Sequence, residues 1–396
     1  MRRILILLVL LLAPVLARSI DQDVARLSKE LEQIRGLKFT KPVPSQALPQ
    51  AEVARYLQGL FDQEAARLPF AVRQVFMHQV GLLAPGVDYR KSLRDLYSQQ
   101  VQGLYDPYKK RFLVATGGSP EADPMAGILA SQGFNMQDML TIHELDHALQ
   151  DQHFNLLKID KDTAANFDQA FAAQCLIEGD ATLVMIDYVA VSMGLDPSMM
   201  DGMMDNDSML TGAQPGMGNA PPFIQKLVGD PYFRGMSFCK ALRRTGGWKK
   251  VDQAYRRLPA SSEQVLHPER YLRNDRPASL SFNLPDPPAG WKYLGCDVAG
   301  EYCVRNAGEN LVGAELAARA AEGWGGDLYC SYLKGSQEGL VWLTVWDSEQ
   351  DAKEFETLAG KLVSRGGVKG LANRVERNKR KVLVLRNAPP GVVPRF

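Results

Sequence analysis

The sequence shows no excess of charge of either sign, because 46 lysines and arginines are balanced by 45 aspartates and glutamates. Composition therefore gives no indication of a nucleic-acid partner or of a polybasic membrane-binding face. Beyond the N-terminus no apolar run is long enough to span a membrane, and there are no internal repeats. The 396 residues are 45% apolar and 23% charged, which is an ordinary globular composition. A chain of this size favours two domains with a sizeable core.

The N-terminus carries a strongly apolar segment. Two arginines precede the run Ile4–Leu12, and the small residues Val15 and Ala17 fit a cleavage site after Ala17. This pattern predicts a signal peptide over residues 1–17 and a secreted or periplasmic protein. An uncleaved anchor is the alternative, but the run is short for a span of about 20 residues. We therefore expect no stable membrane span after cleavage.

Cysteine is scarce, with five in the chain. In an oxidising compartment Cys296 and Cys303 can close a small loop, and Cys239 can pair with Cys330. An odd number leaves at least one thiol free. Cys175, inside an apolar helical run, is the candidate for that free cysteine.

Hydrophobic periodicity predicts a mixed α+β chain. An N-terminal helix and connector over residues 18–50 precede a mainly helical core over residues 51–280. In that core "GLYDPYKKRFLVA", Gly103 to Ala115, places an Asp-Pro turn between two apolar runs and predicts a β-hairpin. The Pro-rich stretch 281–290 is the predicted linker, and residues 291–396 form a smaller α+β region.

A helix predicted at about Met136 to Phe154 carries the sequence His143-Glu144-Leu145-Asp146-His147. Residues four apart lie on one helix face, so the two histidines can bind one Zn²⁺. Glu144 is displaced from that face and can act as the base towards water. The alternative is a core helix whose histidines have ordinary partners, but burying two histidines and a glutamate without partners would be unfavourable.

The third metal ligand has two candidates. His153 has the spacing of the metzincin pattern H-E-x-x-H-x-x-G-x-x-H, in which a glycine lets the chain leave the helix. Here Gln150 occupies that position, and it favours continuing the helix, which would carry His153 off the metal face. The other candidate is Glu178, 31 residues after His147, within an apolar helical run from Phe167.

Glu178 lies in "CLIEGDAT", where an unpaired carboxylate would be penalised on burial. Gly179 and Ala181 beside it are small, which would let this helix approach the helix of the histidines closely. Asp180 is a candidate for orienting a ligand histidine through its outer ring nitrogen. Glu178 at a solvated helix edge, and Asp180 facing water, are the alternatives.

The segments "HELDHALQDQHF" and "LIEGDATL" resemble a family of bacterial exported zinc metallopeptidases with the core H-E-L-T-H-A-L-Q-D-Q and a later E-G-D-A. "GLYDP", "SSEQVLHPERY" and "GWGGD" extend the resemblance over most of the mature chain. The resemblance implies a zincin-like core of gluzincin type, with zinc on His143, His147 and Glu178 and with Glu144 as base. Asp146 departs from the family's threonine, at a position that the motif leaves free.

Three further features are candidate parts of a substrate site. His267 or Tyr271, in "HPERY", can stabilise an oxyanion, although His267 can equally end a helix before its proline. Either the run Gly103 to Asp106 or the run Arg111 to Ala115 can form a sheet edge for an extended peptide. "GWGGD" can form a loop that reaches towards the cleft, or only a turn.

These features together predict an exported zinc-dependent hydrolase, a gluzincin-type peptidase with a peptide or protein substrate. One alternative is a catalytically silent envelope protein that serves binding or assembly, against which the intact Glu144 argues. Another is a zinc hydrolase that acts on a non-peptide bond. The oligomeric state does not follow from the sequence.

Overall fold

The structure is a computed structural model, and it describes residues 20–65, 68–100, 103–116, 135–197, 219–281 and 283–393. The predicted signal peptide lies outside these residues. The chain divides into two compact units, each built from separate stretches of sequence. The predicted core over residues 51–280 and linker over residues 281–290 remain predictions.

The first unit comprises residues up to 68, 91–164 and 173–258 and is mainly helical. In chain order its helices are α1 (Ile20–Arg35), α2 (Gln50–Ala65), α4 (Tyr89–Gln100), α5 (Met136–Phe154), α6 (Leu156–Thr163), α7 (Phe167–Ser192), α8 (Pro222–Gly246) and α9 (Trp248–Arg256), with α4 and α7 beginning in the other unit. Its strands are β1 (Ser45–Pro49), β2 (Gly103–Asp106) and β3 (Arg111–Thr116).

The three strands form one sheet in the order β1-β3-β2. β2 and β3 are antiparallel and form the hairpin that the Asp-Pro turn predicts. β1 pairs with β3 in parallel, so the run Arg111 to Ala115 lies between two strands. The prediction that this run offers an edge to a peptide is therefore wrong. Among the described strands β2 does lie at an edge, but all four of its residues are buried.

Two glycines bring α7 and α8 into backbone contact. A Cβ placed on Gly179 would lie 1.9 Å from the carbonyl carbon of Gly235, and one on Gly235 would lie 1.9 Å from the carbonyl oxygen of Cys175. No side chain fits at either position. Gly179 thus serves a close helix approach, but its partner is α8 and not α5, the helix of the histidines for which the sequence predicts it.

The second unit comprises residues 69–90, 165–172 and 259–396. It contains the helices α3 (Phe70–Gln79), α10 (Ser262–Leu266), α11 (Pro268–Arg273), α12 (Gly300–Val312), α13 (Ala314–Ala321) and α14 (Glu349–Ser364). Its strands are β4 (Lys292–Asp297), β5 (Trp324–Lys334), β6 (Gln337–Trp346), β7 (Ala372–Asn378) and β8 (Lys381–Ala388). All neighbours are antiparallel, in the order β4-β5-β6-β8-β7.

Aromatic side chains hold helices to this sheet. The Trp342 ring meets Phe76 of α3 and Phe355 of α14 edge-on, each with ring centroids 5.3 Å apart. Phe76 also stacks on Tyr329 at 4.1 Å. These rings are almost fully buried and supply much of the apolar area of the core.

The cysteine pairing differs from both predicted pairs. Cys296 on β4 faces Cys330 on β5, and these two form the disulfide. Cys175, Cys239 and Cys303 are free and buried, so the prediction holds for Cys175 alone. Spacing along the chain could not reveal two cysteines opposite each other on neighbouring strands.

The "GWGGD" segment begins strand β5 instead of forming a loop. The buried Asp327 carboxylate accepts hydrogen bonds from the backbone of Ala299 and Gly300 and from the indoles of Trp324 and Trp342. Its role is therefore to satisfy buried donors. The mixed α+β class is confirmed, while a zincin-like core remains a prediction. Within the described residues, no helix has both the length and the apolarity to cross a membrane.

Candidate metal centre

Helix α5 places His143, Glu144 and His147 in the first unit. Asn135 caps its start by accepting the backbone N–H of Gln137, and Asn155, with a positive φ of 56°, ends it after Phe154. The helix therefore continues through Gln150, as expected for a residue that favours helix. His143, Glu144 and His147 are at most 1% exposed.

Glu178, from α7, lies against both histidines. Its Oε2 is 3.2 Å from Nε2 of His143 and 3.5 Å from Nε2 of His147, and the two Nε2 atoms are 3.0 Å apart. Oε1 of Glu178 accepts a hydrogen bond from Gln174 at 2.7 Å. The structure thus brings together the residues predicted from the sequence, in a group that can hold one metal ion.

The distances among the three ligand atoms suit a single metal ion. Ligand atoms of a tetrahedral zinc, each about 2.0–2.1 Å from the ion, are separated by roughly 3.3 Å. The observed separations of 3.0, 3.2 and 3.5 Å bracket that value. A cation at the centre would satisfy two nitrogens and a carboxylate oxygen that otherwise compete for few protons. Two histidines and a carboxylate are also a common donor set for zinc.

The two histidines of the buried group have pKa values shifted in opposite directions. Burial lowers the pKa of His143 to about 4. Burial also opposes protonation of His147, but the carboxylate of Glu178 outweighs it and raises the pKa of His147 to about 9. The pKa of Glu178 is lowered despite its burial, chiefly by His147. A divalent ion bound by these residues would compete with protonation of His147.

The carboxylate of Glu144 has one oxygen that accepts a hydrogen bond and one that has no hydrogen-bond partner among the described residues. Its Oε2 accepts the backbone N–H of Tyr105, on β2, at 2.6 Å. Its Oε1 is buried and has no hydrogen-bond partner among the described residues. Burial raises the pKa of Glu144 to about 8, against the opposing effects of His147 and of the Tyr105 N–H. The edge of β2 therefore holds this carboxylate in place.

The other predicted site residues lie outside the group of three. His153 is exposed, and its Nε2 is 2.8 Å from the carbonyl oxygen of Lys38. Asp180 does not bond to a histidine. Its carboxylate accepts two hydrogen bonds from Arg35, at 2.9 and 3.0 Å, and one from the Tyr255 hydroxyl. Asp180 thus neutralises a buried guanidinium.

His267 and Tyr271 belong to the second unit. His267 ends α10, as its proline suggests, and its Nε2 is 3.0 Å from Oε1 of the buried Glu301. The hydrogen bond to Glu301 raises the pKa of His267 despite partial burial. Tyr271 is 3% exposed. Their role as oxyanion donors remains a prediction.

Sequence reasoning missed three residues around the metal ligands. Tyr105 contributes a backbone N–H, which no side-chain pattern reveals. Gln174 precedes Glu178 by four residues, and this helical spacing could have identified it. Tyr232 of α8 stacks on the His143 ring, with centroids 5.7 Å apart and planes 20° apart, and it comes from a helix that no motif connects to the site.

Parts of the chain are similar to known proteins. Residues 294–392 match a family model described as a domain of unknown function, DUF8575. No curated protein matches the chain. A solved structure from Chloroflexus aurantiacus, described as "a putative hydrolase with a novel fold", is 20% identical and aligns with a TM-score of 0.36. That alignment covers 67% of this chain and 94% of the other.

Proposed function

We propose that this protein is an exported zinc-dependent hydrolase, and that it is a peptidase of gluzincin type. The observation that carries the proposal is the buried group of His143, His147 and Glu178 beside the open oxygen of Glu144. The resemblance of "HELDHALQDQ" and "EGDA" to exported zinc metallopeptidases supports the peptidase class. The disulfide between Cys296 and Cys330 supports an oxidising compartment.

Three side chains would hold the metal, and a fourth would handle protons. When bound, zinc supplies a Lewis acid that lowers the pKa of a bound water towards about 7 and polarises a carbonyl oxygen. Glu144 keeps Oε2 on the Tyr105 N–H, so Oε1 is the atom that is free to take a proton from water. Glu144 then returns this proton to the leaving amine, as a general acid–base residue does.

The site lies away from water. His143, Glu144, His147 and Glu178 are at most 1% exposed, and burial strengthens each electrostatic interaction among them.

The test combines metal analysis with hydrolysis of a peptide library and of a panel of non-peptide esters. We expect stoichiometric zinc in both the wild type and Glu144→Gln, which preserves the shape of the side chain. Peptide hydrolysis should fall by about 10²–10⁴-fold in the variant. Zinc binding without any hydrolysis that depends on Glu144 would favour a silent binding protein, and ester hydrolysis alone would favour a non-peptide substrate.

The choice of third ligand is tested separately. Glu178→Ala should lose most of its zinc affinity, whereas His153→Ala should retain it, because His153 contacts a backbone carbonyl on the surface. Affinity is measured by competition with a chelator. Loss of affinity in the His153 variant alone would mean that the ligand set is wrong.

A further inference from the structure

Gln150 joins the two helices that carry the metal ligands. It lies on α5, one turn after His147, and is 1% exposed. Its Oε1 is 3.1 Å from Nδ1 of His147. Its Nε2 donates to Oδ2 of Asp146 at 2.6 Å and to the carbonyl oxygen of Ile177 at 3.1 Å. Ile177 immediately precedes Glu178 on α7.

The orientation of the Gln150 amide follows from these partners. The carbonyl oxygen of Ile177 can only accept a hydrogen bond, so the amide atom beside it must be the NH₂ group. This holds whether or not Asp146 carries a proton. Oε1 must then face His147, and an amide oxygen can only accept. The proton of the neutral His147 ring is consequently fixed on Nδ1, which leaves the lone pair of Nε2 directed at His143 and Glu178.

We propose that Gln150 is the positioning residue of the metal centre, an inference that rests on the proposed function. It holds His147 in the tautomer that binds a metal through Nε2, and it ties the backbone beside Glu178 to the helix of the histidines. The carboxylate of Asp146 accepts a hydrogen bond from the Gln150 amide and so helps to hold the amide in this orientation. The sequence predicts this positioning role for Asp180, but Asp180 pairs with Arg35 instead.

The principal variant is Gln150→Leu, which removes the hydrogen bonds and keeps a similar shape. The matched control is Gln152→Leu on the same helix, where the glutamine bonds to Thr40 and to the backbone of Lys41 and touches no ligand. Gln150→Glu restores the acceptor for His147 but not the donors. Circular dichroism of each variant establishes that it is folded.

Zinc affinity should fall about 10–100-fold in Gln150→Leu, as for other residues that orient metal ligands. It should recover in part in Gln150→Glu and stay unchanged in Gln152→Leu. The visible absorption of the Co²⁺-substituted protein should change in Gln150→Leu alone, because the geometry around the ion is altered. Unchanged zinc affinity and an unchanged Co²⁺ spectrum in folded Gln150→Leu would overturn the proposal.

A second measurement separates this proposal from the proposed function. Nitrogen NMR of His147 in the metal-free protein at alkaline pH reports which ring nitrogen carries the proton. The wild type should show Nδ1–H, and Gln150→Leu should show a mixture. A wild type that fails to bind zinc but shows Nδ1–H refutes the metal centre and leaves the Gln150-fixed tautomer of His147 standing. A mixture in the wild type refutes the positioning role itself.

Discussion

Substituting Gly179 by alanine tests how the third ligand is placed. The added Cβ would lie 1.9 Å from the carbonyl carbon, 2.2 Å from the oxygen and 2.5 Å from the Cα of Gly235. All three are backbone atoms of α8, so no side-chain rotation can relieve the overlap. Reaching the 3.4 Å at which ordinary contact begins requires the helices to separate by about 1.5 Å.

The loss in free energy of unfolding should lie at the upper end of the range for overpacked cores. Extra methyl groups in a packed core cost about 1–3 kcal/mol, and more when backbone must move. We therefore expect a loss of about 3 kcal/mol or more, partly offset by the gain of about 0.5–1 kcal/mol for alanine over glycine in a helix. A loss of 3 kcal/mol corresponds to roughly 6–12 °C in unfolding temperature for a unit of this size.

The effect on the metal centre should accompany the effect on stability, because Glu178 is the next residue along α7. Moving its Oε2 relative to His143 and His147 should weaken zinc binding in the folded variant. Gly59→Ala is the matched control, since Gly59 is exposed within α2 and a Cβ there has nothing within 4 Å.

Thermal unfolding and chelator competition measure both effects. Gly59→Ala should be stabilised by about 0.5–1 kcal/mol. If Gly179→Ala unfolds at the wild-type temperature and binds zinc equally well, the close approach of α7 and α8 is not what positions Glu178, and the reasoning fails.

Three further predictions concern buried charge, pH and thiols. Arg35→Met leaves the carboxylate of Asp180 buried without its cation, which should cost about 3–5 kcal/mol in urea unfolding. The double variant with Asp180→Asn should recover part of this, and no recovery would contradict the pairing. Both ring nitrogens of His78 face acceptors, Glu338 and a backbone carbonyl, and the hydrogen bond to Glu338 raises the pKa of His78. Because the folded pKa exceeds the unfolded value of about 6.5, this stabilisation is complete at lower pH and is lost as pH rises through the folded pKa. His78→Gln should flatten the corresponding slope of unfolding temperature against pH, and an unaltered slope would exclude His78 as its source. Cys296→Ser should destabilise the protein by about 2–4 kcal/mol. Thiol titration of the unreduced wild type should find three cysteines, reactive only after denaturation, and any reactive thiol in the native protein would contradict their burial.

The local sequence pattern was sufficient to predict the placement of the site residues that lie on one helix. The four-residue spacing of His143 and His147 places them on the same face whatever the rest of the fold does. Gln150 predicts that the helix continues, which is enough to carry His153 away from the group. Glu178 could be selected because a carboxylate in an apolar run requires a partner.

Contacts between distant segments could not be read in this way. Nothing in the local sequence of Tyr105 indicates that its N–H holds Glu144, since every residue except proline has such a donor. The residue type of Asp180 and its position beside Glu178 are typical of a carboxylate that orients a histidine. It pairs with Arg35 because α1 brings a guanidinium to it, 145 residues away in sequence. The disulfide likewise depends on which strands are neighbours in the sheet, because the pairing of β4 with β5 places Cys296 opposite Cys330.

The contacts of residues 35–41 have a consequence for shortened forms of the protein. Arg35 neutralises Asp180, the carbonyl of Lys38 lies against His153, and Thr40 and Lys41 bond to Gln152 on α5. Removal of this stretch would leave the buried carboxylate of Asp180 without its cation, two residues along α7 from Glu178. We therefore expect a chain that begins after Lys41 to lose stability in the first unit.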